Sequence, residues 1–372
     1  MGAPVADRLH DWAVIRCGMR GRSSNQSSML CLLSPEECVP KDHPLRAIRA
    51  LADEALAALE EVFDAMYAEG GRPSVPPERQ LKSSLLIALY SIRSERQFCE
   101  QLQYNLLFRW FLGMDMIEPA FDASTFSKNR ERMMEHDVAA IFFATIRQQA
   151  KDLMSRDHFS VDGTLLEAWA SMKSFRPKDD DSGDNNGWAD FRGKKRSNDT
   201  HESKTDPEAR LFRKGRGQEA KLCFMAHALM ENRHGLLMDL RVTEANGTAE
   251  RETALEMLRE HVGSGATVGA DKGYDTRDFV AQSRAAGVTP HVAKNEHARR
   301  RSAIDGRTTR HPGYGISQTI RMTIERIFGW TKSASGFRRT RFRGRRRTQF
   351  AAYLTGAAYN LLRVSRLRAC AP

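Results

Sequence analysis

His158-Phe-Ser-Val-Asp-Gly-Thr-Leu-Leu166 alternates strictly: Phe159, Val161 and Leu165 fall on one side, Asp162 and Thr164 on the other. That is the period of a half-buried strand. Toward the C-terminus, Lys221-Leu-Cys-Phe-Met-Ala-His-Ala-Leu229 and Gly235-Leu-Leu-Met-Asp-Leu-Arg-Val-Thr243 read as two more strands, joined by Glu231-Asn-Arg-His-Gly235. A helix over about 249–262 leads to a short strand, Thr267-Val-Gly-Ala-Asp271. A second helix over about 276–286, capped by Asp275 and stopped by Gly287, leads to Thr289-Pro-His-Val-Ala293. Helices over about 317–332 and 348–367 complete the chain. The order βββαβαβα predicts a mixed α/β sheet with helices packed on it, in a domain of residues 154–372.

Toward the N-terminus the period becomes helical. His43 to Gly70 carries Leu45, Ile48, Leu51, Leu56, Leu59, Val62 and Met66 at helical spacing, one amphipathic helix ended by Gly70-Gly71. After Pro76-Pro77, residues 78–113 read as two helices. Asp122-Ala-Ser-Thr opens another that runs to about Leu153, with Asp122 or Ser124 as cap. Residues 40–153 are thus expected to form an all-α domain, preceded by a flexible tail over 1–39. Between the first two strands lies a polar insertion, 171–217, expected to be a functional loop or to order on a partner.

The 372 residues carry 58 Lys+Arg and 47 Asp+Glu, a net charge of +11, with 41% hydrophobic residues. That is enough apolar surface to exclude wholesale disorder. No apolar run is long enough to span a bilayer, and residues 1–30 lack a secretory signal. The six cysteines (17, 31, 38, 99, 223, 370) form no CxxC pair, which argues for reduced thiols in a cytoplasm and against a zinc knuckle. The charge is unevenly placed. Residues 294–347 hold 16 Lys+Arg against 3 acids, and Arg338-Arg-Thr-Arg-Phe-Arg-Gly-Arg-Arg-Arg347 has seven Arg in ten residues. Phosphates of a nucleic acid are the polyanion that best compensates such a run; contact with about five predicts a several-hundred-fold loss of affinity between 50 and 200 mM salt.

Two acids stand on apolar strands: Asp162, followed by Gly163, which leaves room for a close approach, and Asp271, followed by Lys272-Gly-Tyr-Asp275. Either alone is most simply a strand-end cap or salt bridge. The helix over 317–332 adds a third element. Its apolar stripe is Ile320, Ile324, Ile327 and Phe328, and Gln318, Arg321 and Lys332 lie within roughly 40° of Glu325 on the neighbouring face. Arg321 and Glu325 could be a simple i,i+4 pair; alternatively Glu325 completes a carboxylate cluster while Arg321 and Lys332 reach phosphates.

Asp-Gly-Thr at 162–164, Ala-Asp-Lys-Gly-Tyr-Asp at 270–275, and Arg321-x3-Glu325-x6-Lys332 resemble the signatures of DDE transposases of bacterial insertion sequences, most closely the insertion-sequence-five family. His43-Pro-Leu-Arg46 and the helices to about residue 135 resemble that family's N-terminal domain, and residues 158–362 its RNase H-like catalytic domain. The resemblance implies that Asp162, Asp271 and Glu325 are a metal-binding catalytic triad for two Mg²⁺ or Mn²⁺ ions, and that Arg321 and Lys332 contact DNA. Lys272, Arg338, Arg339, Arg341 and Arg343 join them as expected DNA contacts, with Lys128 and Arg130 on a candidate recognition helix. A homodimer assembled on double-stranded DNA, in a bacterial cytoplasm at the nucleoid, is also implied. In one place the pattern departs: the family carries Tyr three residues before the Arg, where this chain has Gln318, which can hydrogen-bond phosphate but cannot stack.

The alternatives are an RNase H-like nuclease that cuts without joining, and a non-catalytic DNA-binding protein. Tyr353 and Tyr359 follow the Arg run as a recombinase nucleophile would, yet sit in the apolar pattern Tyr353, Leu354, Ala357, Leu361, which favours core packing. His227 and His291 are expected to pack in strands, and Trp188 and Phe191 to stack on bases or anchor the insertion. With GxxxxGK[ST] absent, ATP use is not indicated.

Overall fold

The computed structural model describes residues 34–68, 70, 73–178, 196–215, 217–296 and 301–370. Most of the expected tail, and Trp188 and Phe191, lie outside the described residues. The end of that tail, expected to be flexible, is structured from Ser34 onward. Ser34 and Glu37 form a reciprocal capping box that starts α1 (Pro35–Cys38), and Glu36 accepts from the indole of Trp110. Arg46 fastens the segment by donating to the Val39 and Pro40 carbonyls at 2.7 and 2.9 Å.

The N-terminal region is all-α, with more and shorter helices than periodicity predicts: α2 (Leu45–Ala57), α3 (Glu60–Ala65), α4 (Pro77–Leu89), α5 (Glu95–Tyr104), α6 (Leu106–Leu112), α7 (Ser124–Glu135) and α8 (Val138–Gln149). The expected helix over 43–70 breaks at Leu59, which leaves helical geometry and is wholly buried. The stretch 78–113 holds three helices because Asn105 ends α5 and caps α6, accepting from Phe108 N at 3.2 Å. The stretch 122–153 is cut at Asp137, whose φ of 49° no α-helix contains. Asp122 does serve at its start, accepting from Ser124 N at 2.7 Å.

The mixed α/β sheet is as expected. Its strands are β1 (His158–Glu167), β4 (Arg210–Phe212), β5 (Lys221–Glu231), β6 (Leu237–Glu244), β7 (Thr267–Ala270) and β8 (Thr289–Val292). The insertion adds a small ribbon, β2 (Phe175–Pro177) with β3 (His201–Ser203). The described parts of 171–217 are therefore structured, and the insertion's end contributes the edge strand β4. Across the main sheet the order is β4 and β6 beside β5, then β1, β7 and β8; β5 is antiparallel to β1, whereas β1, β7 and β8 are parallel. The sharp β5–β6 turn is built on Glu231. This carboxylate is fully buried, and it accepts from the backbone N–H of Ser155, Arg233, His234 and Leu236 at 2.8 to 3.1 Å.

Helices α9 (Ala249–His261) and α10 (Arg277–Ala285) close one face, bringing Leu258 and Phe279 into one buried cluster with Phe159, Val161 and Val268 of the strands. The cap of α10 is Thr276, accepting from Phe279 N at 3.3 Å, and not Asp275. Asp275 instead accepts from Asn295 N and Ala303 N, both at 2.8 Å, and so holds the connection after β8. The expected helix over 317–332 starts earlier and is less regular. It comprises α11 (Gly306–Arg310), α12 (Pro312–Ile320), a 3₁₀ turn Arg321–Thr323, α13 (Ile324–Gly329) and a π-helical turn Trp330–Ala334.

The last helix, α14 (Arg345–Ala369), packs on β6 and α8 in equal measure and less extensively on α4 and α2. One continuous buried cluster consequently runs from Val39 through Leu85, Phe142, Leu237 and Ile327 to Val364. Two of the polar residues of α14 face β6. Asn360 accepts from Leu237 N and donates to Leu237 O at 2.9 and 2.8 Å; Gln349 does the same for Val242 N and Leu240 O at 2.6 and 2.9 Å. The outer edge of the sheet is thereby closed by side-chain amides, which denies it to another strand. Tyr353 stacks on Phe143 and the Tyr359 hydroxyl donates to Gly235 O at 2.9 Å, both in the packing roles expected.

Candidate active site

Parallel pairing brings the two strand acids together. The register of β1 with β7 is His158↔Thr267, Phe159↔Val268 and Ser160↔Gly269. Continued two residues beyond the last pair, it sets Asp271 abreast of Asp162, one strand apart, and parallel strands lie about 4.8 Å from each other. Asp162 accepts from Gly163 N at 2.8 Å, and Asp271 from Gly273 N at 2.8 Å, which fixes each carboxylate against its own turn. Burial pushes the Asp162 carboxyl above its ordinary range and the charge of Asp271 adds to this, while Lys214 opposes it.

The α12–α13 segment crosses this edge. A Cβ placed on Gly269 would lie 3.2 Å from the Arg321 Cβ and 3.3 Å from the Ser317 carbonyl, so a larger residue here would push the helix back by a few tenths of an ångström. At the other end Lys332 donates to Thr164 Oγ1 at 2.5 Å. Arg321 thus stands over the Ser160–Gly269 pair and Lys332 over Thr164. Glu325 lies between them on the helix, exposed and without a hydrogen bond or ion pair to the described residues. The 3₁₀ and π turns change the even 100° spacing assumed from sequence, and π turns recur where a helix is bent to a functional purpose. Gln318 aims the Arg321 guanidinium: its amide donates to His291 O at 2.6 Å, and its Oε1 accepts from Arg321 Nε at 2.9 Å. Beneath, the buried Ser317 hydroxyl bridges His291 Nδ1 (2.6 Å) and His158 Nε2 (2.8 Å).

Two site residues escaped sequence reasoning. Glu250, at the start of α9, lies against Gly163: a Cβ there would be 2.7 Å from the Glu250 Cγ and Oε1. The room that the glycine leaves is filled by this side chain. Burial drives the Glu250 carboxyl up to about 7; Lys214 pulls it down, and the charges of Asp162 and Asp271 add to the rise. Lys214, from the end of the insertion, donates to Gly163 O at 2.7 Å. Sequence offered only one signal for either, Gly163 within a strand, which reads there as room for a close approach. Tyr274, wholly buried, floors the site.

All four acids offer hard oxygen donors, the set that divalent Mg²⁺ or Mn²⁺ takes. No three of the carboxylates of Asp162, Glu250, Asp271 and Glu325 converge within 4.8 Å. The group among the described residues that does is Asp239, Glu260 and His261, and there the Arg241 guanidinium already supplies the cation, 2.7 Å from Asp239. Spread acids suit a pair of ions about 3.5 to 4 Å apart better than one shared centre.

The expected DNA contacts divide. Lys272 and Lys128 are exposed. Lys214, Lys221, Lys332 and Arg338 line an open cleft of about 320 Å³ next to Thr164. Arg130 is committed inward, ion-paired with Glu95 and stacked over Phe342 at 4.3 Å. Within the arginine run, Arg339 donates to the carbonyls of Ala168 and Trp169 at 2.9 and 2.8 Å, Arg346 to Met134 O at 2.9 Å, and Arg347 pairs with Glu131 at 2.6 Å. Arg341 is half-buried near Glu95. Arg338, Arg343 and Arg345 keep exposed side chains without hydrogen bonds or ion pairs to the described residues.

A sheet of this topology with acids on adjacent parallel strands and a basic helix across them defines an RNase H-like nucleic-acid enzyme. Residues 33–132 match the family described as transposase domain (DUF772), and residues 189–361 that described as transposase DDE domain. The chain belongs to the DDE transposases, enzymes that depend on divalent metal ions. No curated protein and no solved structure matches it. Among the described residues no helix is long and apolar enough to cross a membrane.

Proposed function

We propose that this transposase binds the inverted-repeat ends of an insertion sequence, cleaves them and joins them to target DNA, with Asp162, Asp271 and Glu325 as its catalytic acids. The observation that carries the reading is the β1–β7 register, which sets Asp162 beside Asp271 under a helix presenting Arg321, Glu325 and Lys332 in sequence. Two Mg²⁺ or Mn²⁺ ions would stabilise the charge that grows on the attacking and leaving oxygens of an in-line displacement. Asp162 and Asp271 would hold them from the sheet and Glu325 from the helix. Arg321, aimed by Gln318, and Lys332, braced on Thr164, would set the phosphodiester in line, and Arg338 with Lys272 would extend the track for the backbone. No covalent enzyme intermediate is needed, since water and then the freed 3′-hydroxyl serve as nucleophiles. Two ends require two such sites, hence a homodimer on DNA, in the cytoplasm of its host. The likeness of residues 162–164, 270–275 and 321–332 to the insertion-sequence-five type supports that assignment, and the helical region 40–153 is read as the end-binding domain beside the catalytic domain 154–372.

Replacing Asp162, Asp271 or Glu325 by Ala is expected to abolish Mg²⁺-dependent nicking of end DNA and to leave binding of that DNA within a few-fold. Retained cleavage in all three variants would sink the assignment. A pre-nicked end that fails to join target DNA while nicking proceeds would favour the nuclease instead.

A further inference from the structure

Strand β1 has β5 along one edge from Phe159 to Glu167. Its other edge is shared. β7 pairs with it through Ser160, and at Glu167 the segment 338–340 takes over, with Glu167 N donating to Arg338 O at 3.1 Å and Thr340 N to Glu167 O at 2.8 Å. Asp162, Gly163 and Thr164 fall in the interval between these two partners. Two lysines from distant parts of the chain come to it: Lys214 donates to Gly163 O at 2.7 Å and Lys332 to Thr164 Oγ1 at 2.5 Å. Their ammonium groups thus rest on successive residues, directly after Asp162.

That placement crowds like charges. Both lysines line the cleft of about 320 Å³ together with Arg338 and Lys221, and among the described residues only Lys221 of the four has an ion pair, to Glu167 at 2.8 Å. Burial, and next the charge of Lys214, lower the Lys332 ammonium below its ordinary range, so the two cations feel each other. An anion with several oxygens, able to accept from both, relieves such a pair, and in a DNA enzyme the phosphodiester is that anion.

We propose that Lys214 is a further substrate-contacting residue, which together with Lys332 clamps one backbone phosphate of the cut strand in this interval of β1. The inference rests on the reading of Lys332 as a DNA contact. It gives the insertion a part in the reaction, because Lys214 stands at the insertion's end and outside every stretch that carries the transposase signatures.

The test is a scan of the cut strand of end DNA with single methylphosphonates, each of which removes one backbone charge. The readout is kcat/KM for Mg²⁺-dependent nicking by the full chain. One position beside the cleaved bond should cost the parent about tenfold, the scale of a lost hydrogen bond to a charged group. At that position Lys214→Gln, itself about tenfold slower, should lose nothing further, because the contact is already gone, whereas methylphosphonates elsewhere should act additively. Lys332→Gln should couple to the same position. Lys214→Arg, which keeps a cation, should recover most of the loss, and Lys214→Gln should retain the parent's Tm because the side chain is exposed. A purely structural lysine would show neither the coupling nor the rescue. If Lys214→Gln nicks as the parent does, or is additive with every methylphosphonate while Lys332→Gln couples to one, the DNA path stands and Lys214 is excluded from it. Coupling of the two lysines to different positions overturns the shared clamp. If neither lysine couples to any position, the reading of Lys332 fails first and the inference falls with it.

Discussion

Single residues set both the chemistry and its tolerance of acid. His291 is buried and hydrogen-bonded to Ser317, and burial holds its imidazole down at about 4. A histidine depressed in the fold but ordinary in the unfolded chain leaves the unfolded state with more bound protons between those two values, so its contribution is intact above about pH 6.5 and is lost as pH falls toward 4. The His291 ring should show no protonation shift by NMR between pH 8 and 5. Over the same range Tm should fall less in His291→Asn than in the parent. Glu231 acts by geometry alone. Its replacement by Ala strands four backbone N–H groups in the β5–β6 turn and is expected to destabilise by about 3 kcal/mol or more in urea unfolding. From sequence, Asp162 and Asp271 were legible because strand period and glycine context marked them. Glu250 and Lys214 were not, since each reaches the site from an element whose own pattern is ordinary, and only the tertiary approach of α9 and the insertion gives them meaning.

At the scale of elements, strand periods survive translation into structure better than helix lengths do. A strand's period of two is enforced by the sheet on both sides, and all five long-range strands lie within two residues of expectation. Helix breaks at Leu59, Asn105 and Asp137 are decided by which side chains must turn inward, and an uninterrupted apolar pattern does not disclose them. The insertion shows the same limit: β2, β3 and β4 are three residues each, too short for alternation to register. Closure of β6 by Gln349 and Asn360 likewise reads in sequence as two unremarked amides on a helix. Asn360→Ala would leave the Leu237 N–H and C=O without partners, and should lower stability by about 2 kcal/mol. The same change opens the sheet edge, so concentration-dependent aggregation by light scattering is the expected companion effect.

For the molecule as a whole, charge placement foretold a polyanion, and the fold reduces how much of it is free to act. Arg339, Arg346 and Arg347 are spent on carbonyls and Glu131, and Arg341 is half-buried, which leaves Arg338, Arg343 and Arg345 as the arginines of the run open to a phosphate. Three phosphate contacts from the run predict a loss of about 40-fold in affinity between 50 and 200 mM salt, where five would give several hundred. Substituting Arg338, Arg343 and Arg345 together by Gln should flatten that dependence, measured by fluorescence anisotropy on end DNA; an unchanged slope would place the contacts elsewhere.

The position of α14 also bears on how the chain is made. The helices nearest the N-terminus find their packing surface in a segment translated only after the whole sheet, so α2, α4 and α8 must wait for it with apolar faces uncovered. A premature stop before residue 345 would therefore yield an insoluble fragment rather than a shortened protein able to occupy element ends. Damaged copies of such a gene would be silenced by misfolding before they could compete with an intact one.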